Sequence, residues 1–108
     1  MTDLETGAVA LAALVDYQDG SIVSRQVAKT PGGSVTAFAF DAGQGLSEHT
    51  TAHEAMLQVI DGAARVEIAG DEYTVSAGQM IRLPGGIPHA VQAEERFKML
   101  LVMIRSEG

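Results

Sequence analysis

Short runs of aliphatic, β-branched and aromatic residues recur about every 8 to 10 residues along most of this chain. Turn residues separate the runs, as at Asp19-Gly20, Asp61-Gly62 and Gly85-Gly86. No helical pattern alternates with the runs, which argues against a parallel sheet with crossover helices. The spacing predicts an all-β fold, a small antiparallel sandwich or barrel. We expect one domain over residues 1–108, with the barrel core at about 21–105.

The last run, RFKMLLVMIR, is apolar on both of its faces. A strand of this kind is expected to be buried on both sides. One side would face the barrel interior, and the other would face a second sheet or a partner subunit. Together with Phe38 and Phe40, this apolar surface favours a homodimer.

The segment Ala8–Tyr17 is rich in alanine and leucine. Val9, Ala13 and Tyr17 would share one face of a helix, so a short N-terminal helix is one interpretation. The other is an apolar arm that covers a sheet edge.

Charge and composition exclude several classes of function. The formal net charge is −7, and the seven lysines and arginines are scattered, so a nucleic-acid partner is not expected. No apolar run approaches the ~20 residues of a membrane helix. The chain has no cysteine, which fits a reducing compartment, and we expect a soluble cytoplasmic protein.

All three histidines lie in two short segments. His49 and His53 belong to GQGLSEHTTAHEAMLQVIDG (43–62), and His89 belongs to GQMIRLPGGIPHA (78–90). A chemical site, if the protein has one, should be built around these side chains.

The two segments resemble the paired motifs of the cupins, which are small jelly-roll-like β-barrels (double-stranded β-helices). The first cupin motif is G-x5-H-x-H-x3,4-E-x6-G, and this chain supplies Gly43, His49 and Gly62. The second motif is G-x5-P-x-G-x2-H-x3-N. The chain supplies four of its positions, at the required spacings: Gly78, Pro84, Gly86 and His89.

The resemblance implies a divalent metal, such as zinc, iron, manganese or nickel, held by the motif histidines and glutamate. Here the second histidine is replaced by Thr51 and the glutamate by Ala55, so only His49 and His89 carry over. His53 could complete the ligand set. In a straight strand it would lie about 13 Å from His49, so it can join only if residues 50–53 bend.

The side chains expected to face inwards and line the rest of the cavity are Leu57, Val59, Ile81, Leu83 and Val91. The resemblance adds Thr51 and Ala55, which stand at the two replaced ligand positions. The leading hypothesis is a cupin that binds one divalent metal through histidines and acts on a small organic molecule. The resemblance does not choose a reaction. The alternative is a metal-free domain that binds a small ligand, with no catalytic activity.

Overall fold

A computed structural model describes residues 7–105 of the chain. Nine strands account for most of the described residues. They are β1 (Ile22–Thr30), β2 (Gly33–Phe40), β3 (Gly45–His49), β4 (Glu54–Asp61), β5 (Ala63–Ile68), β6 (Asp71–Ser76), β7 (Met80–Leu83), β8 (His89–Gln92) and β9 (Phe97–Ile104).

The strands form two antiparallel sheets. Sheet A has the order β1-β2-β9-β4-β7, and sheet B has the order β3-β8-β5-β6. Within the described residues no strand is shared between the sheets, so the barrel is not closed by one continuous ladder. The all-β prediction is confirmed.

The main core fills the space between the two sheets. Phe40 and Phe97 stack with ring centroids 4.5 Å apart, and neither side chain is exposed. Sheet B contributes Val66, Val75 and Val91 to the same cluster. Alternate residues of β2 enter different clusters: Phe38 and Phe40 belong to the main core, and Ala37 and Ala39 do not.

A second cluster lies on the outer face of sheet A. The N-terminal arm reaches across this face and buries Leu14 and Val15 against Ala37 and Ala39. The helical part of the arm is a single 3-10 turn at Leu11–Ala13. The arm therefore covers a sheet face rather than a sheet edge. No helix among the described residues could cross a bilayer.

Lys98 belongs to β9, yet it is almost fully buried beneath this arm. Its ammonium group donates a hydrogen bond to the Ala12 carbonyl and lies 4.9 Å from the centre of the Tyr17 ring. Both contacts satisfy a charge that would otherwise be costly to bury. The last strand is thus covered on both faces here, by the main core and by the arm.

Several strand ends meet at one end of the sandwich, which we call the histidine end. Here β3 stops at His49, β4 begins at Glu54, β8 begins at His89 and β9 stops at Ile104. Sheet B places His49 opposite His89, and sheet A places Glu54 opposite Ile104. Every predicted metal ligand therefore lies at or beside this end.

Candidate metal and ligand site

His49 and His89 face each other on neighbouring strands of sheet B. They are register partners in the β3–β8 ladder, and their ring centroids are 4.5 Å apart. The ladder shifts between Leu46 and His49. Without this bulge, residues three apart would lie on opposite faces of the strand. The bulge thus turns His49 to the same face as Leu46, which packs against the main core.

Both rings use the same nitrogen to contact the main chain. Nδ1 of His49 lies 2.9 Å from the Ser47 carbonyl, and Nδ1 of His89 lies 3.3 Å from the Ile87 carbonyl. A carbonyl oxygen only accepts hydrogen bonds, so each Nδ1 carries a proton. In the neutral ring the lone pair is then on Nε2. This is the tautomer in which a histidine ligates a metal through Nε2.

The two histidines differ in their exposure to solvent. His49 is exposed, whereas His89 is only 7% exposed. Burial lowers the pKa of His89 below its ordinary value, the hydrogen bond to Ile87 opposes this shift, and the nearby His49 adds to it. His89 therefore stays neutral, and able to bind a metal, at a lower pH than an exposed histidine would.

This lowered pKa predicts that stability falls on acidification. In the metal-free protein the unfolded chain takes up a proton at residue 89 near its ordinary pKa of 6.5. The folded chain resists this uptake, so the stabilising effect is complete above that pH and is lost as the pH falls. We expect the free energy of unfolding by urea, measured with a chelator present, to decrease between about pH 7.5 and 5.5.

His89→Gln is the variant that tests this assignment, because glutamine does not titrate. Its unfolding free energy should depend less on pH than that of the wild type over the same interval. An equal dependence in both proteins would show that His89 is not the group responsible.

His53 lies at the histidine end but on the side of sheet A. Residues 50–53 form no strand, and they carry the chain from sheet B to sheet A. The Thr51 hydroxyl bonds the main chain of His53 at both its N–H and its carbonyl, each at 3.2 Å. Residues 50–53 thus leave the strand geometry, but they carry His53 to the side of sheet A, and its joining His49 stays a prediction.

The His53 side chain lines a cleft of about 170 Å³, which we call the basic cleft. Its other lining residues are Gln26, Lys29, Thr30, Gly33, Ser34, Met103 and Arg105. Neither His49 nor His89 lines this cleft. Lys29 and Arg105 lie outside both histidine segments, so the sequence did not predict them as site residues. Strand alternation could have placed Ser34 and Met103 on one face, but nothing in the sequence marks the bulge that turns Lys29 towards them.

Glu54 links the two segments that carry the histidines. Its carboxylate accepts hydrogen bonds from the Gly85 N–H and from the Arg82 guanidinium, and these contacts lower the pKa of Glu54. The Gly86 N–H also donates to the Thr51 carbonyl at 2.7 Å. Glu54 therefore fixes the turn before His89, and its carboxylate is occupied by that role.

The donor set fits part of a metal site. His49 and His89 present two imidazoles, but no group of three His, Cys, Asp or Glu side chains that could hold a metal occurs within residues 7–105. Thr51 and Ala55 stand where the cupin motif has its other ligands. His53 as the third ligand stays a prediction.

The predicted lining residues lie mainly in the packed core. Leu57 and Val59 have no exposed surface, and Ala55, Leu83 and Val91 are at most 4% exposed. Ile81 is partly buried against the same cluster, and Thr51 is half-buried. The predicted residues of β4, β7 and β8 thus face the main core. That they line a ligand cavity stays a prediction.

Comparisons with known proteins agree with this architecture. A family model described as a cupin domain matches residues 37–104, more than half of the chain. A conserved protein of unknown function from Streptococcus pyogenes is 31% identical with a TM-score of 0.91. That match covers 100% of this chain and 98% of the other.

Two further solved structures are similar over part of their length. A cupin 2 conserved barrel domain protein from Leptotrichia buccalis is 38% identical with a TM-score of 0.84, over 87% of this chain and 46% of that one. Salicylate 1,2-dioxygenase from Pseudoaminobacter salicylatoxidans is 18% identical with a TM-score of 0.72, over 79% of this chain and 25% of that one. The dioxygenase shares the fold alone. A comparison with curated proteins found no match.

Proposed function

We propose that this chain, which belongs to the cupin family, binds a small organic molecule at its histidine end together with one divalent metal ion. His49 and His89 would hold the ion through their Nε2 atoms. The observation that supports this most strongly is the shared arrangement of the two rings, each with Nδ1 on a main-chain carbonyl. Such hydrogen bonds orient histidine ligands and increase their basicity.

His53 is the proposed third ligand. It follows His49 by four residues, and the intervening segment has no strand ladder to break. To reach the same ion, its side chain would have to leave the basic cleft. Three imidazoles would leave coordination positions open for water or for an oxygen of the organic molecule.

The chemistry of such a site follows from its open positions. A divalent ion bound there would act as a Lewis acid on an oxygen atom of the bound molecule. The chain's own contribution is positional. Glu54 and the Thr51 carbonyl hold the turn at Gly85-Gly86, and this turn sets the place of His89.

Metal titration of tag-free protein tests the proposal. We expect one ion per chain, measured by calorimetry with zinc or manganese. His49→Ala and His89→Ala should each weaken binding by about 100-fold or more, because each removes one of very few ligands. His53→Ala should weaken it by about tenfold or more.

The chain carries a net charge of −7. Weak binding of metal to surface carboxylates must therefore be distinguished from binding to the histidines. Glu95→Gln, which removes an exposed carboxylate between β8 and β9, at the other end of β8 from His89, should leave the affinity unchanged. Unchanged affinity in His53→Ala would remove His53 from the site. Unchanged affinity in His49→Ala and His89→Ala would overturn the metal proposal.

A metal-free ligand-binding domain is the second candidate. It is favoured by Thr51 and Ala55, which replace two family ligands, and by the two-histidine donor set among residues 7–105. A wild-type protein that takes up no metal, even after loading, would favour this function over the first. The homodimer also stays a prediction, and an 11.3 kDa species alone in light scattering would contradict it.

A further inference from the structure

We propose that the basic cleft binds the carboxylate group of a small organic anion through Lys29 and Arg105. The chain has seven lysines and arginines. Five of them use their charged groups in hydrogen bonds or ion pairs within the chain: Arg25, Arg65, Arg82, Arg96 and Lys98. Within residues 7–105 the remaining two, Lys29 and Arg105, form no such contact through their side chains.

The two unpaired cations line the same cleft, and no described residue that lines it is acidic. The chain as a whole has twice as many acidic as basic residues, 14 against 7. A surface of this composition repels anions in general. Among the described residues, the side chains that line the basic cleft carry positive and no negative charge.

The backbone aims Lys29 into the cleft. The β1–β2 ladder shifts between Gln26 and Ala28, so that Lys29 pairs with Ser34. Ser34 in turn pairs with Met103, which pairs with Ala55 of the main core. Partners in a ladder share a face, so the bulge moves Lys29 to the inner face of sheet A. Bulges often re-aim a side chain next to a functional site.

The lining also indicates the kind of anion. An ammonium and a guanidinium form charge-assisted hydrogen bonds to carboxylate or phosphate oxygens. Ser34 and Thr30 add hydroxyl groups, and Met103 adds an apolar wall. A volume of about 170 Å³ is smaller than a drug-sized pocket. The combination favours a short carboxylic acid over inorganic phosphate.

The carboxylate would give the ligand class of the proposed small-molecule site, so the inference rests on that proposed function. Lys29 and Arg105 are not proposed metal ligands, and His53 would have to leave the cleft to become one. The basic cleft and the histidine pair lie at the same end of the sandwich, on opposite sheets. The ligand would therefore be anchored by its carboxylate on sheet A and would extend towards His49 and His89 on sheet B.

Ligand titrations followed by amide NMR shifts test the inference with propionate, neutral propionamide and inorganic phosphate as probes. We expect saturable shifts at Lys29, Ser34 and Arg105 with propionate and none with propionamide at the same concentration. Lys29→Gln and Arg105→Gln should each weaken propionate binding by about tenfold. Both side chains are exposed, so these variants should fold normally.

Arg65→Gln is the matched control, since it removes one positive charge from sheet B, where Arg65 pairs with Glu72 and Glu94. Its propionate affinity should stay within about twofold of the wild type. Binding of phosphate but not propionate would overturn the carboxylate assignment. Absence of saturable binding by either anion, or equal weakening in Arg65→Gln, would overturn the basic cleft as a site.

The same variants separate this inference from the metal proposal. Lys29→Gln should keep the metal affinity of the wild type, and metal-free His49→Ala should still bind propionate. Loss of propionate binding in His49→Ala alone would place the anion at the histidine pair and contradict the basic cleft.

Discussion

Phe97→Ala should lower the free energy of unfolding by about 3–5 kcal/mol, because it leaves a large cavity in the main core. The Phe97 ring stacks on Phe40 with the two planes 13° apart, and neither side chain has any exposed surface. Both neighbours of β9 in sheet A, β2 and β4, pair with it in long antiparallel ladders. The backbone therefore cannot easily collapse into the space that the ring leaves.

Urea denaturation of the purified variant gives the measurement. Met80→Ala is the control, because Met80 is 59% exposed on β7 and pairs with Gln58 on the outer face of sheet A. It should change the free energy of unfolding by about 1 kcal/mol or less. A loss of similar size in both variants would contradict the burial of Phe97 in the main core.

Gly62→Ala should cost about 2–5 kcal/mol, the sum of a backbone term and a packing term. Gly62 joins β4 to β5 with a φ of +73°, a conformation that favours glycine. A Cβ at this position would also overlap the Arg96 carbonyl oxygen and crowd the Phe97 backbone. The hairpin turn and the start of β9 cannot both stay in place once that atom is added.

Gly70→Ala separates the two terms. Gly70 has a φ of +88°, but no atom lies within 4 Å of the position that its Cβ would take. Gly70→Ala should therefore be destabilised only by the unfavourable backbone conformation, by about 1–2 kcal/mol. Equal thermal midpoints for Gly62→Ala and Gly70→Ala would contradict the close contact between Gly62 and the start of β9.

Much of the fold could be predicted from the sequence because local rules and burial agree along most strands. The Asp61-Gly62 hairpin joins β4 and β5 as expected, and Ala64 and Val66 face the core. Burial on both faces of the last strand was also predicted, but the outer face is covered by the N-terminal arm and not by a second sheet or a partner subunit. Met99 enters the main cluster and Leu100 packs on the second.

The geometry of the site was harder to predict, because it depends on two bulges. One precedes His49 and one follows Gln26, and each reverses the alternation of its strand. Neither bulge contains a glycine, so the sequence carries no marker for it. Simple alternation would have placed Lys29 on the outer face of sheet A.

The position of the N-terminal arm also depends on tertiary contacts. Alanine and leucine favour a helix over residues 8–17, yet only one 3-10 turn forms. Burial of Leu14 and Val15 on sheet A and the hydrogen bond from Lys98 to the Ala12 carbonyl hold the segment against the sheet in this conformation. These contacts outweigh a propensity of a few tenths of a kcal/mol per residue.

The central claim is that His49 and His89 hold one divalent metal ion. An anomalous difference map from crystals soaked in manganese or zinc tests it most directly. We predict one strong peak about 2.1 Å from Nε2 of both rings. A fully soaked crystal with no peak between these two nitrogens, or with its strongest peak elsewhere, would contradict the claim.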